Sequence, residues 1–180
     1  LHNLVQELRG NVRVFARIRP FLPNDGVDSS DLPESAVQPR ADGTSLRILK
    51  PDDGKSKAEE HAFNFDKVFG GSTSQESIFG EVSEFVQSAL DGYSVCLMSY
   101  GQTGSGKTHT MQGSGDGAMR GIIPRAMQQV GKYKSELEAK GWAYEMQVTF
   151  IEIYNETIRD LLRTGSNANS GKHDIKKDAN

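Results

Sequence analysis

The run YGQTGSGKTHTM, residues 100–111, decides how this sequence folds. Within it Gly101, Gln102, Thr103, Gly104, Ser105, Gly106, Lys107 and Thr108 fit the pattern G-x-x-x-x-G-K-[S/T], the phosphate-binding P-loop. A chance match in 180 residues has a probability on the order of 1% at ordinary amino-acid usage. A glycine-rich turn with an exposed lysine is the plainer reading, but such a turn has no need of Lys followed by Thr. The physical basis is direct. Glycines let successive N–H groups curl toward one concavity, and the helix that starts there adds unpaired N–H groups and a dipole that favour an anion. Lys107 can reach the β- and γ-phosphates, and the Thr108 hydroxyl can ligate a Mg²⁺ that bridges them.

The flanks have the context this loop requires. Upstream, SVCLMSY at 94–100 is nearly continuous in apolar residues and reads as a strand buried on both faces. Downstream, a helix is expected from about Gly106. It is interrupted by the glycine-rich QGSGDGAMRG at 112–121 and resumes after Pro124 to about Lys140. Further upstream, residues 73–91 predict a helix. Thr73 and Glu76 suit a capping box, Ile78, Val82, Phe85, Val86 and Ala89 share one face, and Gly92 is the stop.

Toward the N-terminus, VRVFARIR at 12–19 alternates with period two. It sets Val12, Val14, Ala16 and Ile18 on one face and Arg13, Phe15, Arg17 and Arg19 on the other, with Pro20 ending the strand. Residues 22–61 read mainly as surface loop with one strand candidate at 45–49, and 61–69 as a second short strand. Residues 142–154 alternate as a long strand, 156–162 fit either a helical turn or a strand edge, and 163–180 read as a polar loop or disordered tail. Residues 1–9 have helical spacing that fits either a capping helix or the end of a coiled coil. If the end of the first strand lies beside the loop, Pro20 and His109 could sandwich a purine ring, with an arginine plane next to it. Taken singly, each of these side chains fits a surface position as well.

Composition excludes several classes. Lys and Arg number 21 against 24 Asp and Glu, a net charge of −3, so the chain is not a basic nucleic-acid-binding domain. The single cysteine, Cys96, cannot form an internal disulfide, which fits a reducing compartment. There is no apolar run of membrane-spanning length. The chain begins at Leu1 and stops in a polar stretch, as expected of a piece of something longer.

Taken together, RIRP at 17–20, FNFDKVF at 63–69, SQESIF at 74–79, YGQTGSGKTHTM at 100–111, GIIPRA at 121–126 and EIYNETIRDLL at 152–162 resemble the kinesin motor domain. The junction QELRGNVRVFARIRP at 6–20 is similar to that of the C-terminal-motor kinesins, whose members usually move toward microtubule minus ends. The resemblance implies an α/β fold: a three-layer α/β/α P-loop NTPase with a central mixed sheet, incomplete here. It implies residues 1–10 as the end of a coiled-coil neck, 11–162 as the N-terminal half of the motor domain, and 163–180 as a polar tail that begins a tubulin-touching lobe. It assigns Gly101, Gln102, Thr103, Gly104, Ser105, Gly106, Lys107 and Thr108 to the phosphates of ATP or ADP, Thr108 to Mg²⁺, and Arg17, Arg19, Pro20 and His109 to the adenine. Residues 112–121 would lie beside the pocket. Microtubules are the implied partner, with a homodimer through an N-terminal coiled coil in the parent protein, and a location in the cytoplasm on the microtubule cytoskeleton, the spindle included.

The family's two switch segments, similar to NxxSSRSH and DLAGSE, do not occur in these residues. No catalytic residue is therefore expected within this chain, because phosphoryl transfer needs groups that orient the attacking water. The expected function is the ATP-binding part of a microtubule-dependent ATPase motor, with the isolated chain poorly active. The alternatives are another P-loop enzyme, such as a small nucleotide kinase or GTPase, and a non-catalytic truncated motor that acts as an interaction module. The absence of an Asn/Thr-Lys-x-Asp base-reading motif argues against a GTPase.

Overall fold

The computed structural model describes residues 6, 8, 10–22, 25, 36–50 and 57–163. The expected neck at 1–10 and tail at 163–180 fall almost wholly outside the described residues. Gln6 and Leu8, which are described, are helical. The chain divides into two compact units, Leu1–Ser135 and Glu136–Asn180.

In the first unit, β1 (Phe15–Arg17) pairs in parallel with β5 (Lys67–Phe69), Phe15 opposite Lys67 and Arg17 opposite Phe69. The pairing is extended by Ile18 N–H donating to Phe69 O at 2.9 Å and by Asp66 N–H donating to Val14 O at 3.0 Å. A three-stranded antiparallel sheet runs β2 (Val37–Pro39), β3 (Ser45–Lys50), β4 (Glu59–Asn64). The stretch expected as one strand at 61–69 is thus two strands, with the break at Phe65 and Asp66. At the β2–β3 turn, the Asp42 carboxylate accepts from Thr44 N–H and Ser45 N–H, both at 2.8 Å, and from the Ser45 hydroxyl. These bonds, the Ser45 hydroxyl first, hold the exposed Asp42 carboxyl down at about 2.

Helix α1 (Gln75–Leu90) follows, with Ser74 as its N-cap. The Ser74 side chain accepts from Ser77 N–H at 3.1 Å. The expected capping box of Thr73 and Glu76 is therefore displaced by one residue. Either Thr73 or Ser74 suits an N-cap, and the hydroxyl that meets the N3 amide is that of Ser74. The helix buries Ile78 and Val82 as the spacing predicts, but Ala89 is exposed and Ser88 is buried in the last turn. Gly92 ends it at φ 99°.

Ile78 and Val82 join Phe69 and Ile122 in the buried cluster, with Phe15, Phe79 and Met111 against it. Phe15 meets Phe69 edge-on, ring centroids 6.0 Å apart, and the Arg13 guanidinium lies 3.9 Å over the Phe85 ring. The arginine-bearing face of the first strand, not its Val12 and Val14 face, is therefore the one that α1 covers; Val12 is 82% exposed. Lys67 adds an ion pair to Glu81 of α1 at 2.9 Å.

Residues 94–100 depart from expectation. They form no strand and are nearly all exposed, Tyr100 at 93%. A strand closes its hydrogen bonds only through neighbours, and among the described residues none runs alongside. The P-loop follows, then the single-turn helix α2 (Lys107–Met111), a 3₁₀ turn at Gly117–Met119 and helix α3 (Ile122–Glu138). The last helix starts two residues before Pro124, which its first turn accommodates. Gln129 Nε2 donates to Ser83 O at 3.3 Å, joining α3 to α1.

In the second unit, β6 (Ile151–Tyr154) and β7 (Thr157–Asp160) form a hairpin. Its two-residue turn, Asn155 and Glu156, has positive φ at both positions, 48° and 58°, as a type I′ turn requires. The long strand expected over 142–154 is thus confined to its last four residues. Residues 142–149 are exposed and form no strand, for the same lack of neighbours among the described residues, while Phe150 O accepts from Leu161 N–H at 2.8 Å at the open end of the hairpin. The 156–162 stretch is resolved in favour of a strand. Among the described residues the sheets are three small ones rather than one central mixed sheet.

Candidate functional site

The P-loop is built by three glycines in backbone states that a side chain would oppose: Gly101 at φ 157°, Gly104 at 80° and Gly106 at 95°. A Cβ on Gly101 would come within 2.5 Å of the Ser105 hydroxyl, whereas one on Gly104 would meet nothing within 4 Å. The bend is tight at its root and open at its mouth. Ser105 N–H closes it on Gln102 O at 3.2 Å, and Gly106 caps α2, accepting from Thr110 N–H at 2.9 Å. Lys107 folds back over the bend, its Nζ donating to Gly101 O and Gln102 O, both at 2.9 Å. Gln102, Thr103 and Thr108 are exposed.

Arg17 comes to this corner from the end of β1. Its Nη1 donates to Thr110 Oγ1 at 2.8 Å and to Gln75 Oε1 at 2.9 Å. Burial draws the Arg17 guanidinium below its ordinary pKa. Arg19 runs beside the loop, its Cδ 3.9 Å from where a Cβ on Gly106 would stand. Its guanidinium forms a two-point pair with Asp25, both bonds 2.8 Å. That hydrogen bonding raises the Arg19 pKa and, with Leu22 N–H donating to Asp25, lowers that of Asp25. Pro20 packs on Gly71, where an added Cβ would lie 3.2 Å from Pro20 Cβ. His109 is half-buried on α2, its carbonyl accepting from Gln75 Nε2 at 2.6 Å.

The fold thus brings Arg17, Arg19 and His109 to the P-loop and its helix, while Pro20 lies against Gly71. Sequence reasoning missed Gln75 and Thr110. The available signal was a polar residue three before Ile78 and seven before Val82, on the apolar stripe of α1. A side chain there is buried and must find partners.

The 112–121 loop is pinned beside α2. Gly113 bridges to Arg120, and Gly121 N–H donates to Gln112 O at 2.9 Å. The strands of this loop approach so closely that a Cβ on Gly113 would stand 2.1 Å from Met119 O.

The donor set suits a polyphosphate: a glycine-shaped bend with an open mouth, an ammonium above it, and a helix start with an exposed threonine hydroxyl suited to a hard cation. Bend, lysine and following helix are those of the P-loop class. Comparison with known proteins narrows the class. A family model described as microtubule binding matches residues 1–162. The chain is 48% identical over 166 residues to the kinesin-like protein KIN-14C of Arabidopsis thaliana, covering 91% of this chain and 20% of that protein. It is 51% identical over 170 residues to carboxy-terminal kinesin 2 of Xenopus laevis, covering 90% of this chain and 26% of that protein.

Among solved structures, it superposes on the C-terminal motor and motor homology domain of Kar3Vik1, fused to a synthetic heterodimeric coiled coil, with a TM-score of 0.78 and 41% identity. The match covers 98% of this chain and 44% of that one. The motor domain of the Kar3-like kinesin from Ashbya gossypii gives 0.72 and 42%, covering 94% and 49%. The chain belongs to the kinesin family; among these relatives are a carboxy-terminal kinesin and two Kar3-type motors. It spans a fifth to about a quarter of the two curated relatives and under half of the two solved chains.

Proposed function

We propose that this chain is the ATP-binding part of a microtubule-dependent motor that couples ATP hydrolysis to movement along microtubules, toward the minus end. The glycine bend of residues 101–108 with Lys107 folded across it carries this reading. Residues 101–108 hold the phosphates and Thr108 ligates Mg²⁺, which when bound neutralises phosphate oxygens. Arg17, Arg19, Pro20 and His109 flank the adenine. Gly104 and Gly106 leave room for the anion, and Lys107 exchanges its carbonyl acceptors for phosphate oxygens.

The parent motor is a three-layer P-loop NTPase with a central mixed sheet, in which residues 94–100 and residues 142–150 each gain strand neighbours. This reading accounts for two apolar stretches that are exposed here. Residues 1–10 belong to a coiled-coil neck that joins two copies, and the assembly acts on the microtubule cytoskeleton. Among the described residues no helix is long and apolar enough to cross a membrane. Without the switch segments the chain binds nucleotide weakly and turns it over negligibly.

Equilibrium dialysis with ATP and GTP, with and without Mg²⁺, tests the reading. Preference for ATP that depends on Mg²⁺ is expected. Preference for GTP would favour another P-loop enzyme, and no binding at millimolar ligand an interaction module. Microtubule-stimulated turnover at rates ordinary for enzymes would contradict the assignment of catalysis to segments outside this chain.

A further inference from the structure

Gln75, the first residue of α1, is 4% exposed, and its amide is used from both ends. The oxygen accepts from Arg17 Nη1 at 2.9 Å. The nitrogen donates to His109 O at 2.6 Å and reaches Met119 O at 3.4 Å. Three chain segments far apart in sequence meet on this one side chain: the end of β1, the helix that follows the P-loop, and the close of the 112–121 loop.

Among the described residues, the other hydrogen bond of the Arg17 side chain is to Thr110 Oγ1, a hydroxyl that can rotate. A guanidinium tethered at two points keeps its plane; one tethered at a single point swings. The amide also reads direction. Only a group with an acceptor on one side and donors on the other satisfies an arginine and two carbonyls together, so a carboxylate or a hydrocarbon of similar size cannot replace it without loss.

We propose that Gln75 is a positioning residue for the base end of the nucleotide site: it fixes the plane of Arg17 and registers it against α2 and the 112–121 loop. This inference rests on the nucleotide-binding reading above. It assigns Gln75 no contact with phosphate, so its influence is on the base and not on the triphosphate.

Inorganic tripolyphosphate, which offers the P-loop its anion without a base, makes the test. Affinities for Mg·ATP and Mg·tripolyphosphate are measured on the chain and on Gln75→Leu, Gln75→Glu, Arg17→Leu and the Gln75→Leu/Arg17→Leu double variant. Gln75→Leu is expected to weaken ATP about tenfold, the loss of one charge-assisted hydrogen bond, with tripolyphosphate affinity unchanged. Gln75→Glu retains the acceptor for Arg17 but loses both donors and sets a carboxylate against two carbonyls, so it is expected to recover only part of the ATP preference. The double variant is expected to be no worse than the poorer single one, because both act through the same guanidinium.

Equal losses for ATP and tripolyphosphate, or additive losses in the double variant, would overturn the role of Gln75 while leaving the P-loop assignment intact. Binding of neither ligand by the unmodified chain would overturn the nucleotide reading and this inference with it. Gln75→Glu carries the test if Gln75→Leu fails to fold. A Gln75→Glu chain that folds but loses the ATP preference in full would show that Arg17 is not the group through which Gln75 acts.

Discussion

Helix α1 and residues 94–100 are both rich in apolar side chains, and they have opposite fates. The helix closes its backbone bonds within itself and needs only one covered face; it buries Ile78 and Val82 against Phe69 and Ile122. The extended stretch needs a partner on each edge and a layer on each face, and Met98 is 79% exposed. Apolar content alone therefore does not place a segment in the core. A helix can enter a partial core, whereas a central strand requires neighbours that the described residues do not supply.

The sharpest way to break this contrast is a pair of truncations. Ile78→Ala is expected to cost about 2–5 kcal/mol in urea unfolding, as buried large-to-small changes do. Leu97→Ala is expected to stay within about 0.5 kcal/mol, as at an uncovered site. Comparable losses would mean that residues 94–100 are packed in solution.

Lys107→Ala follows. It is expected to reduce Mg·ATP affinity about a hundredfold, since the ammonium makes charge-assisted bonds, while the urea midpoint barely moves. A large stability loss at unchanged affinity would make Lys107 a brace for the loop carbonyls and nothing more. Next in size, Ser74→Ala should cost about 1 kcal/mol and Thr73→Ala close to none. The reverse order would restore the capping box expected from sequence.

The smallest effect is at Asp42. Its carboxyl sits at about 2, below its ordinary 3.8, so the stabilisation is complete above 3.8 and is lost as pH falls through about 2. Asp42→Asn is expected to flatten the acid side of the stability curve between pH 4 and 2 and to leave its slope at pH 6 to 8 unchanged, as read by circular dichroism in urea.

What was legible in the sequence follows the range of the forces involved. Turn chemistry and helical spacing are local, so the P-loop, α1 and α3 could be read to within two or three residues at each end. The alternation at 12–19 gave a strand but not the face that is covered. Phe15 and the stem of Arg13 bury as well as valine does, and only the arrival of Phe85 selects between the two faces. Residues 37–39 were missed because Val-Gln-Pro is too short to show a period; their strand exists through its register with β3, Val37 opposite Ile48. In the corner around the P-loop, the charged residues announced themselves, whereas the buried amide that ties them together did not. Gln75 lies within the SQESIF run, but a lone glutamine on an apolar stripe announces no chemistry of its own.

The chain's single sulfhydryl, Cys96, sits exposed within residues 94–100. An alkylating reagent therefore becomes a clock for that segment. It reacts at the pace of an open thiol while the flanks are bare, and stalls in any assembly that lays other strands along them. One atom of sulfur converts the question of what completes this fold into a labelling rate.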